Sequence, residues 1–168
     1  GGVMGGSILS GKLTLGDKIQ IYPGQIRKTD EGWKCYPYRA IVLSLKSENE
    51  NLYSATIGGC VAIQTSLDPQ LAKNNNLVGQ MILDFQPKIY DSLQLQIYSL
   101  LKQDVSDNRV KLQKEMRIQL QVYTHSVYGK IIKLQKHRNK KDVRIMAELE
   151  EPVYAESEQI IAISNENK

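Results

Sequence analysis

Cysteine and histidine are nearly missing from this chain, and each scarcity removes a class of function. The two cysteines, Cys35 and Cys60, stand outside any C-x-x-C spacing, so the sequence predicts reduced, buried thiols and neither a disulfide nor a zinc site. The two histidines, His125 and His137, have no serine or cysteine in a nucleophile setting beside them. The acidic set Glu148, Glu150 and Glu151 reads as a solvated edge, not as a paired general acid and base. No catalytic residue and no metal ligand is expected. No G-x-x-x-x-G-K-S/T loop exists, so nothing here wraps nucleotide phosphates in backbone N–H groups. Asn139-Lys140-Lys141-Asp142 fits the N-K-x-D pattern that reads guanine, but that motif needs a parallel α/β fold and here falls in a basic hairpin turn. No apolar run approaches the ~20 residues of a membrane span, and no secretory signal opens the chain. A cytoplasmic, non-enzymatic protein is the expectation.

What the chain does contain is valine, isoleucine, leucine and tyrosine in short alternating runs. Its 168 residues make one ordinary domain or two small ones, each of ~80 residues and still able to bury a core. The net charge of +4 is unevenly spread: residues 1–86 carry eight Lys and Arg against seven Asp and Glu, and residues 87–168 carry fourteen against eleven. The surplus concentrates in Lys130, Lys133, Lys136, Arg138, Lys140 and Lys141. Such a set suits an RNA contact, and equally a solvated hairpin that keeps the protein soluble.

The periodicity is that of strands nearly throughout. Gly5-Gly6, Ile8, Leu13 and Leu15 lead to a turn at Gly16-Asp17, and Ile19 and Ile21 alternate again before Pro23-Gly24 breaks the run. Two short strands joined through tight turns are expected. Gln25 to Lys28, Trp33 to Ser47, Leu52 to Ile57, Cys60 to Leu67 and Val78 to Phe85 follow as strands, with one helical turn at Gln70 to Lys73. Pro37 belongs at an edge or bulge. Phe85-Gln86-Pro87-Lys88 marks a domain boundary, because proline stiffens the connection and cannot donate to a ladder. Beyond it, Leu93 to Leu101 reads as a strand with a short helix as the alternative, and Glu115 to Tyr123, Ser126 to Leu134, Val143 to Leu149 and Gln159 to Ile163 read as strands. Lys102 to Arg109 reads as a loop and Pro152-Val153 as a turn. Met116, Ile118, Leu120 and Val122 form the clearest half-buried face. Many short strands at regular spacing predict an all-β protein of barrels or sandwiches.

The opening string GGVMGGSILSGKLTLGDKIQIYPG resembles the start of the second domain of translational GTPases, and in detail the gamma-subunit family of translation initiation factor 2. Cys35-Tyr36-Pro37, Gly58-Gly59-Cys60-Val61-Ala62-Ile63, Leu67-Asp68-Pro69 and Leu77-Val78-Gly79-Gln80 continue the resemblance. It implies two consecutive small β-barrels: residues 1–86 as the second-domain type lacking its first strand, and residues 87–168 as the third-domain type. It also implies an aminoacyl-tRNA acceptor-end pocket at Val3, Gly5, Gly6, Ser7, Val61, Gln64 and Thr65. A purine needs a flat apolar floor, and glycines admit close approach. The alternative reading of Gly5-Gly6 and Gly58-Gly59 is that they are bulges bending strands around a barrel. The implied partners are initiator methionyl-tRNA, the alpha and beta subunits of the same factor and the small ribosomal subunit. GTP and magnesium would belong to a GTPase domain that these residues do not include. Barrels of another translational GTPase, of elongation or selenocysteine-specific type, are the alternative. The family's closing strand, rich in Trp and Gly, has no counterpart after Ile163, and the bulky Gln64 stands where relatives carry small residues.

Overall fold

The computed structural model describes residues 2–74, 76–97, 112–136 and 143–165. Contacts divide the chain into two compact units, Gly1–Pro87 and Lys88–Lys168. Every regular element among the described residues is a strand, and the sheets curl in the manner of small barrels. Among these residues no helix is long and apolar enough to cross a membrane.

The first unit contains β1 (Val3–Gly6), β2 (Lys12–Thr14), β3 (Lys18–Thr29), β4 (Gly32–Ser47), β5 (Glu50–Leu52), β6 (Ser54–Thr56), β7 (Val61–Thr65) and β8 (Met81–Ile82). One sheet runs in the order β1-β7-β4-β3-β8, with β5 also on β4, and β2 and β6 form a separate ribbon. Alternation sets which side chains point inward. Val61, Ile63 and Thr65 of β7 are buried, whereas Ala62 and Gln64 are exposed. Leu13, Ile19, Ile21, Val42, Leu45 and Leu67 join them in one apolar core.

The turn expected at Gly16-Asp17 forms: Asp17 Oδ2 accepts from the Thr14 N–H (2.8 Å) and Gly16 has φ +89°. The strands on either side of it do not pair with each other. β2 goes to β6, and β3 goes to β4. The break read at Pro23-Gly24 is instead an irregularity inside one long strand, with register shifts between Ile21 and Gln25 and Pro37 opposite them on β4. Tyr22-Pro23 is cis. Gly24 is fixed by sterics: its φ is +63°, and an added Cβ would lie 2.1 Å from the Tyr36 carbonyl oxygen. Its N–H donates to Gln80 Oε1 (2.8 Å), which gives the Leu77-Val78-Gly79-Gln80 stretch a structural task. The run Val78 to Phe85 contributes only the two residues of β8. Leu52 to Ile57 splits at Tyr53 into β5 and β6. Gln70 to Lys73 forms turns and no helix.

The second unit is one sheet, β13-β10-β11-β12-β9, built from β9 (Ile89–Ile97), β10 (Arg117–Val122), β11 (His125–Lys136), β12 (Val143–Tyr154) and β13 (Ala162–Asn165). The face predicted for β10 is the buried one: Ile118, Leu120 and Val122 lie in the core with Ile131, Ile145 and Ala147. Gly129 permits the close passage of β12, since a Cβ there would sit 2.9 Å from the Glu148 carbonyl oxygen. Pro152-Val153 is not a turn. It lies within β12 where the register against β9 shifts, the position in a ladder that tolerates a residue without an N–H. The predicted loop Lys102 to Arg109, the end of the strand Leu93 to Leu101, and Asn139-Lys140-Lys141-Asp142 fall outside the described residues.

Candidate nucleic-acid interface

The residues expected to form a pocket come together on one antiparallel pair. In β1 and β7, Val3 faces Gln64, Met4 faces Ile63, Gly5 faces Ala62 and Gly6 faces Val61, with no register shift. Outward go Val3 (58% exposed), Gly5, Ala62 and Gln64, and Ser7 continues exposed beyond the strand end. Inward go Val61 (3% exposed) and Thr65 (0%). Val61 and Thr65 therefore support the surface from beneath and do not line it. Thr65 also brackets the start of the chain: its Oγ1 donates to the Gly2 carbonyl (3.2 Å) and accepts from the Leu67 N–H (3.3 Å).

The two glycine pairs differ. Gly58 (φ +111°) and Gly59 (φ +61°) occupy a turn that L residues with a Cβ rarely adopt. Gly5 and Gly6 lie in an unbulged strand without positive φ, and a Cβ on either would meet nothing within 4 Å. The bulge reading fails at Gly5-Gly6, and nothing within the fold asks for glycine there. A mid-strand glycine costs about 0.5–1 kcal/mol relative to alanine.

Register adds two residues that sequence reasoning missed. Ser44 on β4 lies across from Gln64, and its Oγ donates to Gln64 Oε1 (3.1 Å). Lys46 lies across from Ala62. Both stand well apart from β7 in sequence, and only strand pairing brings them to the surface. Gln64 is thus part of an ordered polar row and does not simply fill space.

The basic set is seen in part. Lys130 and Lys133 project from β11 on the outer face; their three-residue separation would put them on opposite faces but for the irregularity between Ile131 and Lys133. The Lys136 backbone pairs with Val143. Arg138, Lys140 and Lys141 lie outside the described residues. Lys130 is ion-paired with Glu115, and the hydrogen bond and charge of Lys130 hold the Glu115 carboxyl below its ordinary range while Lys130 is pushed up. Arg117 grips Glu150 through Nε (2.7 Å) and Nη2 (3.0 Å) and covers the Tyr128 ring at 4.1 Å. Carboxylates thus dilute the positive face.

The thiols are not buried as expected. Cys60 is exposed in the turn before β7 and Cys35 is half-buried, where desolvation raises its pKa. Both are free. Among the described residues no group of three or more His, Cys, Asp or Glu is placed to hold a metal. His125 lies 3.6 Å from Glu151, and His137 is outside the described residues.

No protein-family model matches the chain. It is 35% identical over 136 residues to the eukaryotic translation initiation factor 2 subunit gamma of Encephalitozoon cuniculi, covering 78% of this chain and 31% of that protein. It is 36% identical to the Schizosaccharomyces pombe protein of that name, over 68% of this chain and 27% of that one. It is 39% identical to eukaryotic translation initiation factor 2 subunit 3 of Drosophila melanogaster, over 60% of this chain and 22% of that one. The matched stretch thus spans less than a third of each relative. In fold it is similar to translation elongation factor SelB of Methanococcus maripaludis in its apo form, with TM-score 0.68 and 17% identity, covering 99% of this chain and 36% of that one.

Proposed function

We propose, since this chain belongs to the gamma-subunit family of translation initiation factor 2 and corresponds to part of such a subunit, that it is a binding module without a nucleotide switch of its own. The first unit, of second-domain type, holds the aminoacylated end of initiator methionyl-tRNA on the outer face of β1 and β7. Val3 supplies apolar floor, Gly5 admits the terminal nucleotide to the backbone, Gly6 prolongs the open backbone opposite the inward Val61, and Ser7 and Gln64 supply polar contacts. The second unit, of third-domain type, meets the small ribosomal subunit through the strip that begins at Lys130 and Lys133. The alpha and beta subunits are its protein partners, and GTP with magnesium is bound by a GTPase domain of the whole subunit.

The observation that carries this reading is the pair Gly5-Gly6. Glycine stands in a regular strand where neither backbone angle nor packing requires it, which accords with close approach by something outside the fold. The elongation-factor alternative shares the fold at 17% identity, against 35–39% for the initiation subunits.

The test is titration of initiator methionyl-tRNA against the intact factor. Gly5→Val is expected to raise Kd about tenfold or more, equivalent to ~1.4 kcal/mol, without lowering thermal stability. Unchanged affinity would overturn the assignment. The chain alone is expected to bind no fluorescent GTP analogue, and a saturable signal would contradict that.

A further inference from the structure

We propose that the β3–β4 ribbon is an arm that binds single-stranded RNA, independently of the acceptor-end surface. These strands are long, 12 and 16 residues, and they contain no carboxylate. They carry six cations: Lys18, Arg27, Lys28, Lys34, Arg39 and Lys46. The near-neutral sum of the first unit therefore conceals segregation, with six of its eight cations on one ribbon. The only acidic residues between the strands are Asp30 and Glu31, at the tip. Glu31 pairs with Lys34 at 2.6 Å, an exposed contact that a phosphate can displace at little cost.

The outer part of the ribbon is built as a projection. β8 pairs with β3 only at Ile21 and Tyr22, while β7 and β5 pair with β4 only from Val42 and Leu45 onward. From Gly24 to Pro37 no residue is buried. Among the described residues no further strand pairs with this outer part, and a two-stranded ribbon contributes little to a core. Each face carries a cation and a ring: Arg27, Lys34 and Tyr36 share one, and Lys28 and Trp33 share the other with the half-buried Ile26 and Cys35, by register. On the first the Arg27 guanidinium stands 5.0 Å from the Tyr36 ring centroid, and on the second Lys28 Nζ stands 5.4 Å from that of Trp33.

A ring with a cation beside it is what an unpaired nucleotide requires, the base stacking on the ring and the phosphate meeting the charge. A duplex keeps its bases stacked on one another and offers the rings nothing. An acidic polypeptide would use the cations and leave the rings idle.

Fluorescence anisotropy of a labelled single-stranded RNA of about ten nucleotides, titrated with the whole chain, tests this. Trp33→Ala and Tyr36→Ala are each expected to weaken binding about fivefold or more. Arg27→Gln and Lys28→Gln should each reduce the slope of log K against log salt by about 0.7. Lys12→Gln and Lys73→Gln, exposed cations outside the arm and outside the acceptor-end surface, should leave this affinity unchanged, so a general loss of positive charge does not account for the arm's effect. Circular dichroism checks that each variant is folded. Absence of binding, insensitivity to the arm substitutions, or equal competition by polyglutamate would overturn the proposal.

Discussion

Gly24 on β3 and Gly5 on β1 belong to one sheet, with β7 and β4 between them, and are glycine for opposite reasons. At Gly24 an added Cβ would collide with the Tyr36 backbone and φ is positive, so Gly24→Ala is expected to cost at least ~2 kcal/mol in denaturant unfolding. At Gly5 the Cβ meets nothing, so Gly5→Ala should raise stability by about 0.5–1 kcal/mol. Equal losses at both positions would contradict that distinction. Titration gives a second prediction. Tyr154 stacks on Tyr123 (centroids 5.8 Å apart) and donates to Glu156; desolvation, then the Glu156 hydrogen bond and charge, push its pKa well above the ordinary 10.0. Tyr123 shifts in the same direction. A tyrosine raised in the folded state leaves stability unchanged while pH is below the unfolded value and loses its contribution as pH climbs above it. Stability should therefore fall above pH 10.0, and absorbance titration should find two phenols ionising late, whereas Tyr123→Phe combined with Tyr154→Phe removes both effects. The glycines themselves were legible in the sequence, but the sign of each was not, because sign depends on what the Cβ would meet.

At the scale of elements, strands were legible wherever alternation was uninterrupted. β10 and most of β4 follow directly from period-two patterning. Proline and glycine misled in both directions. Pro23-Gly24 and Pro152 sit inside strands at register shifts, positions where a missing N–H costs no ladder bond. Val78 to Phe85, apolar and strand-like, gives only β8, because its neighbours are consumed by turns such as Leu77 to Gln80. Pairing was least legible: that β2 joins β6, and that Ser44 and Lys46 flank β7, follows from contacts far apart in sequence. The arm shows the same limit, since charge summed over half the chain hides a ribbon of one sign. Amide exchange should find Gln25 to Tyr36 much less protected than Ile19, Ala40 and Val42 at the ribbon's base, since the arm lacks buried apolar cover. Equal protection along the ribbon would contradict that.

At the scale of the molecule, the chain holds two separate apolar cores. Leu45 is fully buried in one and Leu120 in the other. Leu45→Ala and Leu120→Ala should each cost about 2–5 kcal/mol, with the loss of amide protection confined to the unit that carries the substitution. Loss spread over both units would contradict independent cores. The central claim is that the outer face of β1 and β7 grips the end of a transfer RNA. It is tested most directly by photocrosslinking, with an azido-adenosine at the 3′ end of initiator methionyl-tRNA bound to the intact factor. Adducts within Val3 to Ser7 or Ala62 to Gln64 are predicted, and adducts confined to the second unit would contradict it.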